Sequence, residues 1–106
     1  MRLLLDESVP RRFRQALPAQ AVKTAVEMGW SGRKNGELLA LAAAEFEAFI
    51  TVDQNLPYQQ NIVTLPIAVV VLVASSNELQ ALLPLVPGLE EALATLQPKS
   101  LVRIMP

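Results

Sequence analysis

The chain contains 106 residues, of which 52% are hydrophobic and 18% are charged, a composition typical of a folded domain. It has neither cysteine nor histidine, which excludes thiol nucleophiles, thiolate metal sites and the commonest general base. The formal charge is −1, although residues 1–34 contain seven bases and three acids, and residues 35–98 contain seven acids and no base. Any catalysis must therefore use carboxylates, hydroxyls, amines or a hard metal ion bound through oxygen.

Apolar runs and turn signals alternate along the chain in a pattern that predicts five strands and three helices. The strands are expected at 2–6, 20–28, 49–53, 67–74 and 101–105, and the helices at 9–17, 36–48 and 77–96. Ser8 and Asn35 are the expected caps of the first two helices, Lys23 marks an edge strand, and Pro84 and Pro87 are expected to break the last helix. The alternation predicts that residues 1–106 form a single α/β domain, a three-layer α/β/α sandwich with a mostly parallel five-stranded sheet.

The most apolar stretch, residues 62–74, has 13 residues, whereas a membrane-spanning helix needs about 20. The three leucines before Asp6 are too few for the apolar region of a signal peptide. We therefore expect a soluble cytoplasmic protein that has no membrane partner.

Three acidic residues are expected at one edge of the sheet. Asp6 follows the first strand and Asp53 follows the third, and ligands collect at the carboxyl ends of parallel strands. Glu37 lies in the first turn of the helix after the second strand, and the topology places that end of the helix over the same edge. Ser75 and Asn77, after the fourth strand, are expected there too.

Each acid also has a structural explanation, because Asp6 and Asp53 can cap turns and the helix dipole favours Glu37. Three carboxylates at one edge would, however, repel one another unless a cation or a proton neutralised them. Without cysteine or histidine, the expected cation is Mg²⁺ or Mn²⁺, which prefer carboxylate and water. Arg11 and Arg12, at the start of the first helix, are candidate phosphate ligands, although a solvated helix face explains them equally well.

Three segments of the chain resemble the short prokaryotic PIN-like family, which is related to the PIN-domain ribonucleases. They are "LLLDES" (3–8), "MGWSGRKNGELLALA" (28–42) and "FITVDQNLPYQQN" (49–61). The likeness runs from Met1 to about Leu96, and its most specific part is the strand that ends in Thr51-Val52-Asp53. PIN domains are α/β/α sandwiches that bind one or two divalent metal ions through acids at strand ends and cleave RNA with an activated water.

The resemblance implies a metal-dependent ribonuclease in which Asp6 and Asp53 hold the metal, while Glu37 completes the metal shell or positions the water. Arg11 and Arg12 would then contact RNA. Many PIN domains are the toxins of toxin–antitoxin pairs, so an antitoxin protein is an expected partner.

PIN nucleases generally supply a fourth acid near this edge, and here the chain departs from the pattern. Asn55 and Asn77 are the candidates for that position, and each offers a carbonyl oxygen without a charge. Glu7 is a further candidate, although it should point away from Asp6. A site with three carboxylates is expected to bind metal more weakly than one with four.

Two other classes of function remain open. A receiver-like phosphoacceptor domain would use Asp6 and Glu7 as its acidic pair and Asp53 as the acceptor, but it needs a lysine at the end of the fifth strand, and Lys99 precedes that strand. A catalytically silent interaction module would use the leucine-rich segment 77–96 to form a homodimer or to bind an antitoxin helix.

Overall fold

A five-stranded sheet forms the centre of the computed structural model, which describes residues 1–106. The strands are β1 (Arg2–Leu5), β2 (Ala21–Thr24), β3 (Ala48–Thr51), β4 (Ala68–Leu72) and β5 (Leu101–Ile104). All neighbouring strands pair in parallel, in the order β2-β1-β3-β4-β5. The predicted five-stranded parallel sheet is confirmed, and Lys23 does lie in an edge strand.

Four α-helices and three short 3₁₀ helices connect the strands. The α-helices are α1 (Asn35–Ala43), α2 (Leu56–Gln59), α3 (Leu79–Leu82) and α4 (Val86–Ala94), and the 3₁₀ helices are Arg11–Ala16, Ile62–Thr64 and Leu83–Leu85. Pro84 lies in the 3₁₀ turn that separates α3 from α4, and Pro87 lies in the first turn of α4. The prolines divide the segment 77–96 as expected. None of the α-helices combines the length and the apolar character needed to cross a membrane.

The two predicted helix caps differ from the structure. The segment after β1 is a 3₁₀ helix whose cap position is Pro10 rather than Ser8. Asn35 is the first residue of α1 and Lys34 occupies the cap position, with no side-chain capping hydrogen bond. Both polar side chains are instead directed to aspartates at the strand ends: Ser8 Oγ donates to Asp6, and Asn35 Nδ2 donates to Asp53.

Strand β2 is shorter than predicted because a turn follows it directly. The backbone N–H of Thr24 donates to Glu27 Oε1 at 2.9 Å, and the backbone N–H of Glu27 donates to Thr24 Oγ1 at 3.1 Å. This reciprocal pair bends the chain after Thr24, so the segment expected to extend to residue 28 leaves the sheet four residues earlier.

Helical segments cover both faces of the sheet, and each face has its own hydrophobic core. On one face, Leu5 and Ile50 pack with the 3₁₀ helix Arg11–Ala16 and with residues of α3 and α4. On the other face, Leu4 and Phe49 pack with residues of α1 and α2. Successive side chains of a strand point to opposite faces, which explains this division. All five residues of β4 are buried, as expected for an interior strand of a parallel sheet.

Replacing a core isoleucine should destabilise the protein far more than replacing an exposed one. Ile50 in β3 is fully buried, whereas Ile62 is 51% exposed. We expect Ile50→Ala to lower the free energy of unfolding by about 2–5 kcal/mol and the matched Ile62→Ala to change it by less than about 0.5 kcal/mol. Urea unfolding followed by circular dichroism measures both. Equal losses in the two variants would contradict the assignment of Ile50 to the core.

The turn after β2 should make stability depend on pH. Arg14 Nη1 donates to Glu27 Oε1 at 2.7 Å, and this hydrogen bond, together with the one from the Thr24 backbone, holds the pKa of Glu27 below its ordinary value of 4.5. A carboxyl group whose pKa is lowered by folding stabilises the protein above its unfolded-state pKa, and this contribution is lost as the pH falls through the folded-state pKa.

We therefore expect Glu27→Gln to be less stable than wild type at pH 7, with a difference that shrinks as the pH falls below about 4.5. Thermal unfolding at several pH values measures this difference. Glu91→Gln, which removes an exposed acid that forms no ion pair, is the control and should follow wild type. A constant difference between Glu27→Gln and wild type at all pH values would show that the ion pair contributes nothing through its charge.

Candidate functional site

The carboxyl ends of β1 and β3 bring Asp6 and Asp53 to one buried hydroxyl group. The two strands pair with Leu5 beside Ile50, so Asp6 follows next to Thr51. Thr51 is fully buried; its Oγ1 donates to Asp6 Oδ2 at 2.9 Å and accepts from the backbone N–H of Asp53 at 3.0 Å. Thr51 therefore connects the two acids, a role that the sequence analysis did not assign to it.

Further donors fix the carboxylate of Asp6. The backbone N–H of Glu7 donates to Oδ1 at 2.8 Å, and Ser8 Oγ donates to Oδ2 at 2.7 Å. The backbone N–H of Asp6 itself donates to the carbonyl of Ile50 at 2.9 Å, which continues the pairing of β1 with β3. Both the backbone and the carboxylate of Asp6 are thus held in one orientation.

The carboxylate of Asp53 is held by one backbone and one side-chain donor. The backbone N–H of Asn55 donates to Oδ1 at 2.9 Å, a local turn of the kind that aspartate commonly forms. Asn35 Nδ2 donates to Oδ2 over a long 3.4 Å. Asn35 therefore places the start of α1 against the acid at the end of β3.

Helix α1 directs Asn35, and not Glu37, towards Asp53. With 3.6 residues per turn, Glu37 lies roughly 200° around the helix from Asn35. Viewed along the helix axis, the buried residues Leu38 and Leu39 lie on either side of Asn35. Asn35 therefore belongs to the face of α1 that packs on the sheet. The apolar stripe of α1 contained this information, because Asn35 is three residues before Leu38 and four before Leu39.

Glu37 is directed to solvent and forms an ion pair with Arg33, four residues earlier. Its side chain is 54% exposed. No group of three or more acidic side chains lies close enough together to hold a metal ion. The structure brings Asp6 and Asp53 together and leaves Glu37 apart, so the three-carboxylate site stays a prediction.

Two of the candidates for the fourth position take part in the loops of this edge. Asn55 is exposed at the cap position of α2 and contacts Asp53 through its backbone, leaving its side-chain amide free to act as a ligand. Asn77 Nδ2 donates to the carbonyl of Ser8 at 3.1 Å and so joins the loop after β4 to the loop after β1. Ser75 is exposed on the same loop.

Glu7 has a structural partner of its own. Its Oε1 accepts a hydrogen bond from the backbone N–H of Gly32 at 2.6 Å. Gly32 has φ +78°, a conformation that favours glycine. Glu7 therefore fixes the turn before α1 and is not free to act as the fourth acid without releasing that turn.

Arg11 and Arg12 are exposed at the start of the 3₁₀ helix and form no ion pair with an acid. Arg11 lines a cavity of about 310 Å³ together with Asp6 and Glu7. The prediction that this helix start lies near Asp6 is consistent with that cavity. A role in binding phosphate stays a prediction for both arginines.

The hydrogen bonds leave room for a hard cation at the two aspartates. A carboxylate offers about four acceptor positions, and three donors reach Asp6 while two reach Asp53. Lone pairs therefore remain on both groups. If the side-chain amide of Asn35 turned by about 180°, its carbonyl oxygen would take the place of the N–H that now forms a long hydrogen bond to Asp53. Carboxylate and carbonyl oxygens are the ligands that Mg²⁺ and Mn²⁺ prefer.

Comparison of the chain with protein-family models, with curated proteins and with solved structures gives no match. The geometry at the ends of β1 and β3 is therefore the basis for assigning a function to this protein.

The Thr51 hydroxyl should be required for the order of this site. Thr51→Val keeps the shape of the side chain but leaves the partly buried N–H of Asp53 and one acceptor position of the Asp6 carboxylate without a partner. We therefore expect a loss of about 1–3 kcal/mol in the free energy of unfolding. Thr51→Ser keeps the hydroxyl and should lose less. Urea unfolding of the three proteins measures the difference. A larger loss in Thr51→Ser than in Thr51→Val would show that the methyl group, and not the hydrogen bonds, matters.

Proposed function

We propose that the protein is a metal-dependent, PIN-like ribonuclease whose site is centred on Asp6 and Asp53. The observation that carries this proposal is the buried Thr51 hydroxyl at the carboxyl ends of adjacent strands, which donates to the carboxylate of Asp6 and accepts from the backbone N–H of Asp53. The parallel sheet covered by helices on both faces supports the three-layer arrangement that the resemblance implies. The toxin role in a toxin–antitoxin pair, and an antitoxin as partner, belong to the same proposal.

In this function Asp6 and Asp53 would hold Mg²⁺ or Mn²⁺. Asn35, whose amide donates to Asp53, and Asn55, whose backbone N–H donates to it, would offer uncharged amide oxygens. A bound metal would supply a water of lowered pKa and neutralise charge on the reacting phosphate. Thr51 and Ser8 orient Asp6 through their hydroxyl groups. Because only two carboxylates serve this site and its other oxygen donors are uncharged, we expect weak metal binding.

Titration calorimetry with Mn²⁺ tests the metal site. We expect Asp6→Asn and Asp53→Asn each to weaken binding by roughly 10- to 100-fold or to abolish the heat. Glu37→Gln should have little effect, because Glu37 faces away from the pair, and Asn35→Asp should bind Mn²⁺ more tightly than wild type because it adds a charge. Equal heats in wild type and both aspartate variants would remove Asp6 and Asp53 as the site.

Cleavage of single-stranded RNA in Mn²⁺ tests the reaction. Wild type should cleave slowly, Asp6→Asn and Asp53→Asn should be inactive, and chelation of the metal should stop the reaction. The control Glu91→Gln keeps an unchanged site and should match wild type. Metal binding without cleavage by wild type would contradict the ribonuclease function and leave the metal site in place.

A silent interaction module is the second candidate. It is favoured by the amides at Asn35 and Asn55, where additional acids would strengthen metal binding. The segment 77–96, to which the sequence assigned this role, has four of its seven leucines buried in the protein's own core, and only Leu83 among them is exposed. The exposed side chains of Tyr58, Ile62 and Val63 are instead available for a partner protein. Metal-independent association with a partner, in a protein that neither cleaves RNA nor binds Mn²⁺, would support this candidate.

A receiver-like phosphoacceptor function has one observation in its favour, since the strand order 2-1-3-4-5 is the order of flavodoxin-like folds. Against it, Lys99 precedes β5 and lies at the amino-terminal edge of the sheet, where it lines a cavity with Met1 and Pro66. That edge is opposite Asp53. Incubation with acetyl phosphate and Mg²⁺ should therefore give no labile phosphoryl group on Asp53.

A further inference from the structure

A polar groove lies between the start of α1 and the end of α2. It has a volume of about 670 Å³ and is lined by residues 33–37 with Gln59 and Gln60, none of which is hydrophobic. At Gly36 the two walls approach closely, because a Cβ built there would lie 3.4 Å from Gln60 Oε1. We use the name α1–α2 groove for this feature.

The α1–α2 groove adjoins the proposed metal site through Asn35. This residue lines the groove and donates to Asp53 Oδ2 at 3.4 Å. Helix α2 begins immediately after the Asp53–Asn55 turn, with the N–H of Leu56 donating to the carbonyl of Asp53 at 3.3 Å. A ligand in the groove would therefore extend directly towards the carboxylates.

The charge of the α1–α2 groove suits an anionic ligand. Arg33, Lys34 and Glu37 are its charged residues, which give a net charge of +1. Arg33 and Glu37 form an ion pair, whereas Lys34 has no acidic partner. From Gln54 to Asn77 the chain contains no charged residue, so the α2 wall adds only amide donors and acceptors.

Tyr58 is an exposed aromatic residue next in sequence to the groove residue Gln59. It is 84% exposed, while the preceding residues Leu56 and Pro57 are buried and anchor helix α2. A cationic polar groove with a neighbouring exposed aromatic ring is the combination by which proteins bind single-stranded nucleic acids, with bases stacked on the ring and phosphates near the cations.

We propose that the α1–α2 groove and Tyr58 bind a segment of single-stranded RNA, with a base stacked on Tyr58 and a phosphate paired with Lys34. This inference rests on the proposed ribonuclease function for its substrate class, and it assigns the path by which the strand reaches Asp53. The binding itself needs no metal, since none of these groups is part of the aspartate pair.

Fluorescence anisotropy of a labelled oligouridine in EDTA tests the proposal without cleavage. We expect Tyr58→Ala to weaken binding about 5-fold or more, and Tyr58→Phe, which keeps the ring, to bind within about twofold of wild type. Lys34→Gln should reduce the slope of log affinity against log salt concentration by about 0.7, the value for one phosphate contact on a single strand. Tyr58→Ala should leave that slope unchanged.

The matched control is Lys99→Gln, which removes an exposed lysine at the opposite edge of the sheet and should change neither the affinity nor the slope. Wild-type affinity in Tyr58→Ala, or an equal loss in Lys99→Gln and Lys34→Gln, would overturn the proposal. A third result would also overturn it: wild type forms a dimer, Tyr58→Ala dissociates that dimer, and oligouridine does not. The surface around Tyr58 would then be a protein interface.

Asp6→Asn separates this inference from the proposed function. It should abolish cleavage in Mn²⁺ and bind oligouridine in EDTA at least as tightly as wild type, because it leaves Tyr58 and Lys34 unchanged and removes a negative charge near the proposed path of the strand. If wild type does not cleave RNA but binds it through Tyr58 and Lys34, the groove assignment survives and the ribonuclease function fails. If wild type cleaves RNA and Tyr58→Ala changes neither the cleavage nor the binding, the ribonuclease function survives and the groove assignment fails.

Discussion

The parallel direction of all five strands is the constraint on which the rest of the structure depends. Parallel pairing places every strand's carboxyl end along one edge, so that two acids 47 residues apart in sequence, Asp6 and Asp53, become neighbours. It also requires long crossovers, which here become the helices that cover the two faces of the sheet. Burial on both faces in turn explains why the three interior strands are mostly apolar, with Arg2, the exposed first residue of β1, as their one charged residue.

Uncharged hydrogen-bond donors hold the carboxylates of Asp6 and Asp53 at this edge of the sheet. Five donors reach the two residues, and none of them is a cation. Hydrogen bonds to ionised groups are stronger than neutral ones, so these donors can stabilise each carboxylate without a bound metal. The same donors compete with a metal for carboxylate lone pairs, which is a physical reason to expect weak cation binding.

Much of this arrangement could be predicted from the sequence, because it follows from burial. The apolar runs ending at Asp6 and Asp53 identified two interior strands and their polar ends correctly. The orientation of α1 depends on the position of each residue around the helix axis, which nearness to the helix start, the basis for assigning Glu37, does not specify. The stripe formed by Leu38, Leu39 and Ala42 indicates that Asn35 faces the sheet. The role of Thr51 depends on a cross-strand contact, which the sequence of one strand does not specify.

The distribution of paired and unpaired cations limits how this protein can attract a nucleic acid. Three of the seven bases in residues 1–34, Arg2, Arg14 and Arg33, pair with acids of the same molecule. With a net charge of −1, attraction over long distances must be small. The unpaired cations near the acids are Arg11, which shares a cavity with Asp6, and Lys34, which lines the α1–α2 groove beside Asn35.

These two cations lie on elements that cover opposite faces of the sheet, Arg11 on the segment after β1 and Lys34 at the start of α1. A bound strand that satisfied both would pass over Asp6 and Asp53 between them. With only two such cations, few phosphate contacts would contribute to the binding free energy. Stacking of bases on an exposed ring such as that of Tyr58 would then have to supply much of the remaining binding free energy. In such an arrangement the affinity for RNA would depend only weakly on salt concentration. The groove would set the position of the strand, because electrostatic attraction alone is too weak to hold the strand elsewhere on the surface.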